Sequence, residues 1–322
     1  IESGDPSLEA AALRVKAEVQ RFLGDPDCEN VLRQADELAR RAGDETGRAF
    51  GMLLLGQYLL STDRAQEALR TFKEALKSFE ELEDDRGRSR AFFHIARAYR
   101  EIGDVARGAK AVDVAEHVAT ACSDQVQLAR CQYLQGDLAL RRREYDVAIT
   151  RLEQAIAGLA GDDDPAYEVY SHIALALTYS ARQWSARDPA KAVVHASAAV
   201  KRAQQLGLER QEAYAYTVLA FAHLAADAPQ FALAVSRKGL KFVESGRAGK
   251  KRAAETLFVH YRCLKKLKRK EEAAEYLARA FDFVLERAAE FEDSEKRRLF
   301  LDVDMFNAAV VREARKVLKA QM

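Results

Sequence analysis

A period of about 40 residues constrains this chain more than any other feature. Leu55-Gly56 with Ala68, Phe72 and Ala75 aligns with Ile95-Ala96, Tyr99, Gly108, Val112 and Ala115, and again with Gly136, Ala148, Leu152 and Ala155. Further copies carry Leu175-Ala176, Tyr179, Ala192, Ala196 and Ala199; Leu219-Ala220, Ala232, Ser236 and Gly239; and Tyr261, Leu264, Ala273, Leu277 and Ala280. Starts at Ala49, Ser89, Ala129, Val169, Ala213 and Ala254 give spacings of 40, 40, 40, 44 and 41. From the first small residue of each second helix to the next start the distance is 21, 21, 21, 21 and 22 residues. A supersecondary unit repeated at this period cannot bury its apolar face alone, so neighbouring units must stack.

Composition says what the unit is made of. Of 322 residues, 59 are Ala and five are Pro, which favours helix nearly throughout. No extended alternating apolar run appears, so essentially no sheet is expected. Small residues seven apart on one helix let a neighbouring backbone come close, and a bulkier residue between them fills the contact. Each unit therefore reads as two antiparallel helices. Gly56, Ala96, Gly136, Ala176 and Ala220 stand where the partner helix crosses, with Tyr99 and Tyr179 in the same seam. The connections are short and acidic, as in Asp84-Asp85-Arg86-Gly87 and Gly161-Asp162-Asp163-Asp164-Pro165. Gly246 and Gly249 mark another.

The pattern resembles the tetratricopeptide repeat, L-G-x-x-Y in the first helix and A-x-x-x-F-x-x-A in the second. Leu55-Gly56 with Ala68, Phe72 and Ala75 carries it most clearly, together with the turn Leu267 to Ala273. The chain departs from that family where Met52, Phe92 and Cys131 sit near the usual Trp, and where the closing Pro is missing. The long period is similar to that of Rap-type regulators, the maltose-regulon activator and Pins-like adaptors. The resemblance implies an all-α, right-handed superhelical solenoid. Residues 1–48 are expected to form a degenerate repeat or cap, with Asp25 or Asp27 capping its second helix. Residues 49–292 hold six repeats. Residues 293–322 form one capping helix with Asp293 or Ser294 at its start and Leu299, Val303, Phe306, Val310 and Val311 on one stripe. The missing initiator Met leads us to expect a fragment or a trimmed product.

Several functions are disfavoured. No apolar run reaches the roughly 18–20 residues of a membrane span, and the acidic start Ile1-Glu2-Ser3-Gly4-Asp5 is unlike a signal peptide. Four cysteines without a CxxC pair point to reduced thiols, hence to the cytoplasm. Cys122 and Cys131 are not read as redox partners. His94, His117, His172, His195, His223 and His260 show no metal-ligand spacing. No phosphate loop or nucleophile turn occurs. The chain is therefore read as no enzyme, with no cofactor and no metal.

With 51 basic and 50 acidic residues, no global charge draws nucleic acid. The basic run Arg262, Lys265, Lys266, Lys268, Arg269 and Lys270, with Lys250, Lys251 and Arg252 upstream, is read first as a solvated turn. Trp184, in the four-residue insertion between Ser180 and Asp188, is read equally as a contact or a local plug.

The resemblance places the binding groove along the first helices. There the chain offers Arg90, Phe93, Arg97 and Arg100, then Arg130 and Tyr133, then Tyr170, and Tyr214, Thr217 and Phe221. Phe50, Leu53, Gln57, Asp137, Ile173 and Leu177 fall at groove positions too. Arginines on one face suit carboxylates, and the aromatics suit apolar peptide side chains. The family's two-carboxylate clamp needs Asn, yet Asn30 and Asn307 lie outside the repeats, so recognition of chaperone C-termini is not supported. The expectation is a protein- or peptide-binding scaffold for signal transduction. It would act as an adaptor or a sensory module that signals through residues 293–322 to a fused or separate effector. The alternative is a regulatory domain of a larger enzyme or transcription regulator.

Overall fold

Aspartate precedes one helix after another. Asp44, Asp84, Asp104 and Asp124 each accept a hydrogen bond from the backbone N–H three residues on, at 2.7, 2.9, 3.0 and 3.0 Å. Asp188 accepts two, from Ala190 and Lys191, each at 3.1 Å. A side-chain oxygen there satisfies N–H groups that the helix leaves without partners. The acidic connections thus act as helix starts. Asp27 is the exception: it stands at the N-cap of the second helix but accepts from the Asn30 side chain at 3.0 Å.

These observations come from a computed structural model, which describes all residues except 1–4, 24, 63, 160–164, 182–184, 249, 290, 292–293, 303–304 and 320–322. The side chains of residues 22, 23, 250, 251, 296, 299 and 305 are also not described. Trp184, Asp162, Asp163, Asp164, Gly249, Asp293 and Val303 therefore lie outside the described residues, as do the side chains of Lys250, Lys251 and Leu299. The described residues form sixteen helices and no strand.

The helices divide into two compact units, residues 1–142 and 143–322. The first holds α1 (Pro6–Leu23), α2 (Cys28–Ala42), α3 (Glu45–Ser61), α4 (Ala65–Glu81), α5 (Asp85–Ile102), α6 (Val105–Ala121) and α7 (Gln125–Arg141). The second holds α8 (Tyr145–Gly158), α9 (Pro165–Tyr179), α10 (Pro189–Gln205), α11 (Glu209–Ala225), α12 (Pro229–Glu244), α13 (Lys250–Lys266), α14 (Lys270–Ala289), α15 (Ser294–Asp302) and α16 (Met305–Val317). Within each unit successive helices pack together, and alternate helices also touch, α3 with α5 and α11 with α13 among them. From α3 onward the odd-numbered helices up to α13 begin at 45, 85, 125, 165, 209 and 250. They keep the spacings read from the sequence and start four residues earlier. Where one helix was expected beyond residue 293, α15 and α16 are separate elements. The buried Asn307 amide donates to the Phe300 carbonyl at 3.1 Å, serving a carbonyl near the end of α15.

The crossing positions are all inside. Gly56, Ala96, Gly136, Ala176 and Ala220 are buried, and so are the paired small residues of α4, α6, α8, α10, α12 and α14. Space is tightest in the first unit. A Cβ built on Gly56 would fall on the Phe72 ring, and one on Gly87 on the Phe79 ring. Phe72 and Phe79 are fully buried. Each large apolar side chain buried this way stabilises the fold by about 1.5–3 kcal/mol relative to exposure. The turns share another feature. A single residue in the left-handed region often follows a helix: Gly43, Gly103, Gly207 and Gly246, but also Glu83, Ser123, Arg143, Asp227 and Lys268. A helix ends there because φ changes sign, which glycine tolerates best.

Two outcomes are expected. Gly56→Val forces the Phe72 ring out of its seat and lowers stability by about 1–3 kcal/mol in denaturant titration. Ser123→Gly, at φ 54°, raises stability by about 0.5–1 kcal/mol, the left-handed penalty less the extra chain entropy of glycine.

Candidate binding site

In the first unit the candidate side chains gather around a histidine that the sequence reading left among the bland ones. Arg90, His94 and Arg97 sit on α5 at spacings of four and three, so the helix presents them on one face. The His94 ring stacks on Phe72, centroids 5.1 Å apart, and meets the edge of Phe93 at 5.3 Å. Its Nδ1 lies 3.3 Å from Arg97 Nη1, and its Nε2 3.3 Å from the terminal amide of Gln57. Guanidinium can only donate, so Nδ1 accepts and Nε2 carries the proton; Gln57 Nε2 stands against it, and turning that amide over would bring its oxygen there as acceptor. Burial, reinforced by the charges of Arg97, Arg130, Arg21 and Arg90, holds the imidazole well below its usual pKa. His94 is therefore neutral in the middle of four arginines from three helices, α1, α5 and α7.

The arginines are not equivalent. Arg100 is spent: it pairs with Glu101 at 2.7 Å and Asp137 at 3.4 Å and donates to the Tyr133 hydroxyl at 3.2 Å. Burial opposes its charge, but Glu101, Tyr133 and Asp137 keep its pKa well above the ordinary arginine value. Arg130 donates to Gln127 Oε1 at 3.4 Å. Arg90 lies over the Phe50 ring at 5.8 Å, and its buried Nε has no hydrogen-bond partner. Among the described residues neither Arg90 nor Arg97 forms an ion pair. Phe93 and Tyr133 are buried, at 1% and 6% exposure, and act as walls of the core.

In the second unit the candidate residues mostly hold α9, α11 and α13 together. The Tyr170 hydroxyl accepts from Gln211 at 3.1 Å. Thr217 is buried and shares a 2.7 Å hydrogen bond with Thr256. Tyr214 is buried beneath the Arg252 guanidinium, 3.5 Å from its ring centre, and Arg252 is itself paired with Glu255 at 2.7 Å. Phe221 is half-buried under Arg262 and beside Phe306. The basic turn is matched locally: Lys265 with Glu313, Lys266 with Asp227 at 3.0 Å, and Arg269 with Glu272.

Cys28, Cys131 and Cys263 are buried and so is His260, whereas Cys122 and His223 are half-buried and His117 is exposed. Burial raises the pKa of the Cys28 thiol and pushes Cys263 up to about 11. All four cysteines are free. His172 and His195 meet at 3.0 Å through their Nδ1 atoms, and Tyr179 stacks on His195. His260 Nδ1 lies 2.8 Å from the buried Ser236 hydroxyl. Burial lowers His172 and His260 to about 4 each, and His195 in the same direction. Among the described residues no group of three or more metal-ligating side chains occurs, and no helix is long and apolar enough to cross a membrane.

No known family pattern matches the sequence, and no curated protein matches it. Solved structures do share its fold. A Rap protein complexed with Competence and Sporulation Factor is 14% identical, with a TM-score of 0.66 over 97% of this chain and 88% of that one. The apo form of RapI is 17% identical, with a TM-score of 0.56 over 83% of this chain and 99% of that one. A signal-transduction ATPase with a tetratricopeptide repeat sensor, from Pyrococcus horikoshii, is 15% identical, with a TM-score of 0.59 over 96% of this chain and 49% of that one. The fold is all-α and tetratricopeptide-like, and it resembles that of the Rap proteins.

The buried imidazoles set a pH dependence. His172 and His260 stay neutral in the folded chain down to about pH 4, whereas unfolded histidine protonates near 6.5. Between those values the unfolded state binds more protons, so stability falls as pH drops from 6.5 towards 4. Thermal melts across this range will show it, and His260→Gln will flatten the slope.

Proposed function

We propose that this chain is a non-catalytic, cytoplasmic binding module of signal transduction that takes an acidic peptide or protein segment. The reading rests on one observation. Arg90 and Arg97 stand beside a neutral, buried His94 with no carboxylate pairing either of them among the described residues. In the same unit the half-buried Arg64 is matched by Glu29 at 2.6 Å and Glu67 at 2.7 Å, and Arg70 and Arg86, which form no ion pair among the described residues, are exposed where Arg90 and Arg97 are half-buried. A guanidinium fork receives a carboxylate through two parallel hydrogen bonds, and each charge-assisted bond contributes about 1.5–3 kcal/mol. The ring stack on Phe72 and the cation–π contact on Phe50 hold the donors in place before a ligand arrives, which lowers the ordering cost of binding.

The fold comparison supports the class of partner. One Rap neighbour is seen with a factor bound, and the archaeal neighbour uses its repeats as a sensor. The effector this chain serves, fused or separate, is part of the same proposal.

The test is binding to an array of acidic peptides, read with native protein and with Arg97→Glu and Arg90→Gln. A loss of about tenfold or more for Arg97→Glu, with helicity unchanged, is the expected result; each tenfold step is about 1.4 kcal/mol. Equal binding by native protein and both variants would remove the site from the proposal. Because His94 is neutral throughout, the affinity should stay flat between pH 6 and pH 8.

A further inference from the structure

The first helix is amphipathic twice over. Ala10, Ala17 and Gln20 turn inward and are buried, and α1 packs on α2 and α3. On the opposite side Leu8, Val15 and Val19 are 61%, 64% and 55% exposed. Ala12 lies between them. At 100° per residue these four positions fall within about 60° of one another, a seam with spacings of four, three and four. The other exposed large apolar side chains come singly, Leu82 just after α4 and Val147, Val194 and Phe231 on different helices among them, and call for no partner.

We propose that this seam pairs with the same seam of a second copy of this chain, the two α1 helices running antiparallel. Charge identifies the occupant. Glu9 and Lys16 lie on one flank of the seam, seven residues and about 10 Å apart along the axis, too far to pair with each other. Neither is engaged by an oppositely charged group among the described residues. In an antiparallel pair centred between Ala12 and Val15, Leu8 faces Val19 of the other copy and Ala12 faces its Val15. Glu9 then meets the other copy's Lys16, and Lys16 its Glu9. The arrangement is its own complement about a two-fold axis, as an isologous dimer requires, and the small Ala12 lets the helices approach. A parallel pair would set Lys16 against Ala11 and gains no such match. The overlap from Leu8 to Val19 is about 17 Å long, short of a standard-sized interface. The dimer is therefore in concentration-dependent equilibrium with monomer.

Sedimentation velocity on the full chain over a concentration series tests the pairing. Native protein should shift from monomer towards dimer with concentration, and the exposed Val15→Glu variant should stay monomeric with unchanged helicity. Charge swaps decide the orientation. Glu9→Lys alone and Lys16→Glu alone should each lose the dimer through like-charge contacts. Their equimolar mixture should regain it as a heterodimer, and so should the Glu9→Lys/Lys16→Glu double variant. Native protein that is monomeric at every concentration would overturn the proposal. So would a dimer that survives Val15→Glu, or single charge variants that associate as well as native protein. None of these readouts depends on peptide binding at Arg97.

Discussion

Close approach of helix backbones is the constraint from which the rest of this structure follows. Where Gly56 faces Phe72, the space a methyl group would need is filled by an aromatic ring. The same economy recurs within each unit, with Ala or Gly at the crossings and a bulkier buried side chain between them in four helices, Phe72, Val112, Leu152 and Leu277, where α10 and α12 have Ala196 and Ser236. Such contacts supply the dispersion and apolar burial that a two-helix unit lacks alone. Arg90 and Arg97 share a face of α5 through their spacing of seven along the helix, and the packing of neighbouring helices decides what that face meets.

Electrostatics is organised on top of that packing rather than beside it. Asp84, in what looked like a linker, caps a helix, as Asp124 does, and in the basic run of the sixth repeat Lys265, Lys266 and Arg269 pair with Glu313, Asp227 and Glu272. Arg100 is held by two carboxylates and a phenol. Arg90 and Arg97 differ from Arg100 in having no carboxylate partner among the described residues, and the ring beside them is kept neutral by burial and by their own field. A neutral imidazole accepts from Arg97 and adds no positive charge, so the cluster remains compatible with folding.

The fold was legible to a large degree. Period, helix pairing and crossing residues all follow from spacing, because small side chains at fixed intervals have only one packing use. The site was half legible. The sequence placed Arg90 and Arg97 on one face of α5, where the structure also has them. It placed Phe93, Tyr133, Tyr214 and Thr217 in the same category, and these are buried. A groove position and a core position of one helix differ by a single step of 100°, and the lean of each helix against its neighbours decides between them. His94 escaped notice because a lone histidine carries no spacing signal. Its position three before Arg97 and four after Arg90 was the available hint.

What the sequence determined by itself was the repeat and the helical class, since each rests on local spacing; that Asp44, Asp84, Asp104 and Asp124 begin helices came from the structure. What only the tertiary structure decided was which charges meet. Arg100 and Asp137, Tyr214 and Arg252, and Lys265 and Glu313 are 37 to 48 residues apart in sequence. Pairing over such distances depends on how stacked helices are rotated about their axes, and that rotation is set by the summed packing of many side chains rather than by any one of them.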